Sequence, residues 1–156
     1  TSNYFPTLEE TFQPVKYMAD ILVDADVLVA LVKTDDLNHQ KALRISQSLQ
    51  KNGCTWYVSP YTIGEVVTVI SYKISHSMAK NVLKQLRKLA LNELSLKDND
   101  DLVDKWFLGQ NKKGTSYFDC YNMALLERYK KQLKGFIFSF DGIYKRNGFK
   151  LTGETS

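Results

Sequence analysis

Short apolar runs alternate with amphipathic stretches along most of this chain. The stretch 21–32 opens with a β-branched, aliphatic run that is typical of a buried strand and continues into an apolar segment that could open a helix. The runs 55–58 and 136–140 predict further strands, and 93–96 and 149–151 predict two short ones. Because helical periodicity fills the segments between them, the pattern predicts strands that alternate with helices.

The predicted helices follow from apolar spacing and from capping residues. They cover 38–51, 59–72, 77–91, a segment after Asp98, and a segment from about 116 to 133. Helices that connect consecutive strands lie on both sides of a parallel sheet. The sequence therefore predicts a three-layer α/β fold, with a mostly parallel central sheet of four to five strands flanked by helices.

Residues 1–17 differ in composition from the rest of the chain. They hold two of the three prolines and four aromatic residues, and the spacing from Thr7 to Glu10 is that of a capping box. Met18 stands just before the first predicted strand. We expect 1–17 to be an N-terminal extension (a linker, a partner-like segment or a cloning remnant) and 18–153 to be one domain.

Composition narrows the possible environments and chemistries. No apolar run approaches the ~18 residues of a membrane span, and no secretory signal is visible. Two isolated cysteines favour a reducing, cytoplasmic compartment, and two scattered histidines argue against zinc. The net charge of +4 is unevenly distributed, and clustered lysines can attract a polyanion, although helix faces commonly carry lysines for solubility.

Four acidic residues fall where this layout places the carboxyl edge of the sheet. Asp24 and Asp141 follow predicted strands, whereas Glu65 and Asp119 lie near the starts of predicted helices. In a parallel sheet these positions converge on one edge. Each residue also has a simpler interpretation: Asp119 could complete a capping box with Ser116, Asp141 could be a turn residue, and Glu65 could lie on the surface.

The four carboxylates together are more informative than any one of them. Carboxylates that share a pocket repel one another and require a cation. All-oxygen ligands suit Mg²⁺ or Mn²⁺, which retain water and accept phosphate oxygens. The sequence therefore predicts a magnesium or manganese site at this edge.

Four motifs in this order resemble the PIN-domain ribonucleases, particularly the VapC-type toxin subunits of VapBC toxin–antitoxin pairs. They are the acidic opening at 21–31, the glutamate segment 58–66, the segment 116–124 and the segment 138–141, and 38–42 also resembles the second helix of that family. The likeness runs from about 18 to 151. Asp26 departs from the family pattern, which often has serine or threonine there.

The resemblance implies metal-dependent endonucleolytic cleavage of RNA. Asp24, Asp119 and Asp141 would hold Mg²⁺ or Mn²⁺, and Glu65 would support a second ion or position water. Asp26 and Ser139 are possible supporting residues. Candidate RNA contacts are Lys73, Lys80, Lys84, Lys112 and Lys113, with Tyr117 and Tyr121 as candidates for base stacking or for core packing. The resemblance also implies a homodimer and a protein antitoxin as partner.

Two alternatives stay open at this point. The order Asp24-Ala25-Asp26-Val27 fits the nucleophile pattern of aspartyl-phosphate (haloacid dehalogenase-like) phosphatases, but Lys145 stands where that class needs an acid. The other alternative is a non-catalytic PIN-like RNA-binding module, against which all four acids argue.

Overall fold

Five parallel strands form one sheet within residues 20–153, the part of the chain that the computed structural model describes. The strand order is β3-β2-β1-β4-β5, so the first strand lies at the centre. The strands are β1 Asp20–Val23, β2 Thr55–Val58, β3 Leu91–Glu93, β4 Phe136–Phe138 and β5 Lys150–Leu151. The predicted α/β class and parallel sheet are confirmed.

Helices connect the strands and cover the sheet. They are α1 Ala25–Val32, α2 His39–Lys51, α3 Thr62–Lys73, α4 His76–Lys88, α5 Leu102–Leu108, α6 Tyr117–Arg128, α7 Lys130–Leu133 and α8 Ile143–Arg146. The helix predicted from residue 59 begins at Thr62, because the Ser59 hydroxyl accepts a hydrogen bond from the Tyr61 N–H and bonds the Thr62 hydroxyl. This turn keeps Pro60 outside the helix.

Three other element boundaries differ from the predictions. The strand predicted at 93–96 lies earlier, since residues 91–93 pair with β2. The strand predicted to reach Phe140 ends at Phe138, because the Phe140 N–H turns to the Asp26 carboxylate. The long helix predicted up to residue 133 breaks at Tyr129 into α6 and α7.

The alternation of side chains along β1 creates two cores. Ile21 and Val23 pack with residues of α1, α3 and α4 on one side of the sheet. Leu22 packs with residues of α6 and with Ile137 on the other side. A strand buried on both faces explains why the opening stretch is apolar at successive positions.

Some of the predictions fall outside the described residues. The extension 1–17 with its capping-box helix, and Met18, lie there, so the domain division at residue 18 stays a prediction. Within the described range, no helix is both long enough and apolar enough to cross a membrane.

We predict that Leu22→Ala lowers the free energy of unfolding by about 2–5 kcal/mol, because it empties a fully buried site at the centre of the sheet. Leu37→Ala is the matched control: Leu37 is fully exposed, and its truncation should change stability by less than about 0.5 kcal/mol. Urea unfolding followed by circular dichroism measures both. Equal effects would contradict this assignment of the core.

Candidate active site

Two neighbouring strands end side by side at the centre of the candidate site. Val23 of β1 is in register with Phe138 of β4, and the Asp24 N–H donates to the Phe138 carbonyl at 3.0 Å. Asp24 and Ser139, the next residues along each strand, therefore lie together at the carboxyl edge of the sheet. This is the edge at which parallel α/β sheets place their ligands.

Asp24 is buried and receives hydrogen bonds at both carboxylate oxygens. Its Oδ1 accepts from the Ala25 N–H at 2.8 Å and from the Asn122 amide at 3.3 Å. Its Oδ2 accepts from the Ser139 hydroxyl at 2.9 Å and from the Tyr144 hydroxyl at 3.0 Å. Polar donors from four segments of the chain thus compensate a carboxylate that is only 5% exposed.

Asp119 reaches the same hydroxyl from the first turn of α6. Its Oδ1 lies 3.2 Å from the Tyr144 hydroxyl, whose single proton Asp24 and Asp119 share. Ser116 caps α6 by accepting from the Phe118 N–H. The Asp119 side chain therefore bonds across to another element, which is more than a capping box requires.

Glu65 and Asp141 complete the acidic set from two other elements. Glu65 lies in the first turn of α3, next to the end of β2. The Asp141 N–H donates to the Ser139 hydroxyl at 3.0 Å, and its Oδ1 accepts from the Ile143 N–H at 3.0 Å. Asp141 is thus a turn residue, as its simpler interpretation had it, and it also lies beside Ser139 at the site.

The pKa shifts show that the acids act on one another. Burial raises the pKa of Glu65 to about 7, with further contributions from the charges of Asp24 and Asp119. Burial also raises the pKa of Asp119 to about 7, assisted by Asp24 and Asp141. The pKa of Asp24 is raised by burial and by Asp141, while its hydrogen bonds oppose the rise. The structure therefore brings all four predicted acids together.

Asp26 lies beside this cluster and is tied to the backbone. Its Oδ2 accepts from the Phe140 N–H at 2.9 Å, and the Ser139 hydroxyl lies 3.3 Å from the same oxygen. Burial, followed by the charge of Asp24, raises the pKa of Asp26 to about 8. Asp26 therefore bridges α1 and the turn after β4 by hydrogen bonding, and its predicted supporting role at the metal site stays a prediction.

The chemistry of the donor set fits a hard divalent cation. Every candidate ligand is a carboxylate oxygen, and a bound cation would offset the burial and the mutual repulsion that raise the pKa values. Among residues 20–153, no three His, Cys, Asp or Glu side chains stand ready-placed around a common metal position. Cation binding would therefore require the carboxylates to approach one another.

Sequence reasoning missed two residues that organise the cluster. Tyr144 is fully buried, and its hydroxyl lies between Asp24 and Asp119 while it accepts from the Asn122 amide at 3.1 Å. Asn122 stands three positions after Asp119, a spacing that places both on one face of α6. That spacing could have identified Asn122, whereas no local pattern indicates Tyr144.

The predicted RNA-contacting residues lie on three segments of the chain. Lys112 and Lys113 are exposed in the segment before α6, close in sequence to Asp119. Lys73 ends α3, about 12 Å along the helix axis from Glu65. Lys80 and Lys84 are exposed one turn apart on α4. Their roles stay predictions.

The two tyrosines proposed for base stacking have different environments. Tyr121 is buried, and its hydroxyl accepts from the Leu96 N–H, so it packs in the core. Tyr117 is 42% exposed and remains accessible.

Comparison with known proteins agrees with this architecture. The family model of the PIN domain matches residues 21–150, which is most of the chain. The chain therefore belongs to the PIN-domain family. The solved structure of VapC20 from Mycobacterium tuberculosis, described as a Sarcin-Ricin loop cleaving toxin, has a similar fold with a TM-score of 0.67 and 21% identity, over 83% of this chain and 96% of that chain. A comparison with curated proteins found no match.

Membership of this family leaves the phosphatase interpretation without support. The Asp26 carboxylate, on which that interpretation relied, accepts a hydrogen bond from the Phe140 N–H and lies beside the Ser139 hydroxyl.

We predict that the metal-free protein loses stability as the pH rises from about 4 to about 8. The pKa values of Glu65, Asp119 and Asp26 lie at about 7 to 8 in the folded protein, against ordinary values of 3.8 to 4.5 for these side chains. The folded state therefore binds more protons than the unfolded state in this window, so the free energy of unfolding falls with pH. Urea titrations with EDTA at several pH values measure the slope. Asp119→Asn should flatten it, and a slope of opposite sign would contradict the prediction.

Proposed function

We propose that this protein is a metal-dependent endoribonuclease, the toxin of a toxin–antitoxin pair that acts in the cytoplasm. The observation that carries the proposal is the meeting of Asp24, Glu65, Asp119 and Asp141 at the carboxyl edge of a PIN-domain sheet. The toxin part of the proposal is supported by the fold shared with VapC20, a protein described as a Sarcin-Ricin loop cleaving toxin.

In this proposal Asp24, Asp119 and Asp141 hold one or two Mg²⁺ or Mn²⁺ ions, with Glu65 supporting a second ion or orienting water. A bound ion of this kind lowers the pKa of its water and offsets negative charge on the reacting phosphate. Ser139 holds the Asp24 carboxylate in place through a 2.9 Å hydrogen bond. Burial of Asp24 strengthens its interaction with a cation, since the effective dielectric is lower there.

The proposed partners are RNA, an antitoxin protein and a second copy of this chain. Lys112 and Lys113 lead into the helix that carries Asp119, which suits them to the RNA backbone. Lys73, Lys80 and Lys84 are proposed to contact the RNA farther from the reacting phosphate. An antitoxin that blocks the acidic cleft would bring a cationic group to it.

We predict that Asp24→Asn reduces RNA cleavage by more than about 100-fold, because it removes the charge at the centre of the proposed metal site. EDTA should abolish wild-type cleavage, and Mg²⁺ or Mn²⁺ should restore it. The assay follows labelled RNA on a denaturing gel with purified protein.

Asp35→Asn is the matched control, because Asp35 is an exposed aspartate whose carboxylate pairs only with Lys33 at the surface. It should cleave like the wild type. Cleavage that persists in Asp24→Asn would assign the activity to another site or to a contaminant. RNA binding without turnover by the wild type would indicate the non-catalytic module.

We predict that Lys112→Gln/Lys113→Gln weakens RNA binding and makes it less sensitive to salt. Each lost phosphate contact should reduce the slope of log Kd against log salt by about 0.7 for single-stranded RNA. Fluorescence anisotropy on the Asp24→Asn protein measures this without cleavage. Lys51→Gln, at the exposed end of α2, is the control and should leave the slope unchanged.

A further inference from the structure

Four aromatic side chains form a partly exposed surface beside the acidic cluster. Tyr61, Phe107, Tyr117 and Phe118 are each between 40% and 45% exposed. The rings of Tyr61 and Phe118 lie 5.3 Å apart, and those of Phe107 and Tyr117 lie 5.7 Å apart. We call these four residues the aromatic rim. Contiguous exposed apolar surface of this kind marks an interaction site.

The aromatic rim borders two of the four acids. The Tyr61 carbonyl accepts from the Glu65 N–H at 3.0 Å, so Tyr61 lies one helical turn before that acid. Phe118 directly precedes Asp119 in α6. Because the Tyr61 and Phe118 rings are in contact, they close the gap between the helix starts that present Glu65 and Asp119.

Other contacts fix the rings before any ligand arrives. The Tyr117 hydroxyl donates to the Asp104 carboxylate at 2.7 Å. The Tyr61 ring also packs edge-on against buried Tyr121 at 5.1 Å, and the Tyr121 hydroxyl is itself held by the Leu96 N–H. Rings held in this way lose little conformational freedom on binding, which favours affinity.

We propose that the aromatic rim stacks unpaired RNA bases next to the phosphodiester that is cleaved, an inference that rests on the proposed ribonuclease function. An RNA strand whose phosphate lies at the acids has the rings of Tyr61 and Phe118 beside it, and base faces stack on aromatic side chains regardless of sequence. Exposed Lys112 and Lys113 lie in the sequence between Phe107 and Tyr117 of the aromatic rim and suit the accompanying phosphates. The substrate class is therefore RNA with unstacked bases at the cleavage position.

The test compares Tyr61→Leu/Phe118→Leu and Tyr61→Ala/Phe118→Ala with the parent in the full chain, all carrying Asp24→Asn. The probe is a single-stranded RNA oligonucleotide with 2-aminopurine at successive positions. We expect both variants to bind it about 10-fold more weakly and to lose the fluorescence quenching that stacking causes. The salt slope should stay unchanged, because no phosphate contact is removed.

Tyr72→Ala is the matched control, since Tyr72 is an 88% exposed tyrosine at the far end of α3. It should bind like the parent. Circular dichroism melts confirm that each variant is folded. Leucine conserves apolar surface without an aromatic face. The leucine variant therefore still tests base stacking if the alanine variant does not fold.

Three outcomes would overturn the proposal. Parental affinity and quenching in both variants would show that the rim does not stack bases. Loss of binding in the alanine variant alone would indicate apolar packing in place of stacking. A dimer that light scattering detects in the parent but not in the variants would assign the rim to contact between copies of the chain. In each case wild-type cleavage would remain, whereas failure of the proposed function would remove metal-dependent cleavage itself.

Discussion

The buried carboxylate of Asp24 is the constraint on which the rest of this structure depends. Placing a charge at the end of a central strand costs several kcal/mol unless donors surround it. Here the donors are the Ala25 N–H, Ser139 after β4, Asn122 on α6 and Tyr144 on α8. The pairing of β1 with β4, and the packing of two helices on one face, are thus arranged around one carboxylate.

The same arrangement explains why the acidic site destabilises the folded protein. Burial and mutual repulsion raise the pKa of Glu65 and of Asp119 to about 7, which means that their charged forms are held unfavourably in the folded protein. Functional sites commonly carry such perturbed groups. In the proposed function, a bound cation would relieve this unfavourable energy and would in turn attract phosphate.

Individual residues show which parts of the site could be predicted from the sequence. Parallel-strand geometry alone placed Asp24, Glu65, Asp119 and Asp141 at one edge, and the structure brings them together. The roles of these residues stay proposals. Tyr144 was not predictable, because it reaches Asp24 and Asp119 only through the packing of α8 against α6. The end of β4 at Phe138 was not predictable either. It depends on the hydrogen bond from the Phe140 N–H to the Asp26 carboxylate, and no local pattern indicates that bond.

The sequence by itself determined the α/β class, the parallel sheet, the family and the convergence of the acids, because apolar periodicity and strand-end position are local properties. Only the tertiary structure decided how Asp24 is compensated, which groups Asp26 bonds and which aromatic rings meet beside the acids. Those features depend on hydrogen bonds and contacts between residues far apart in the chain. Asp24 and Tyr144, for example, are separated by 120 positions.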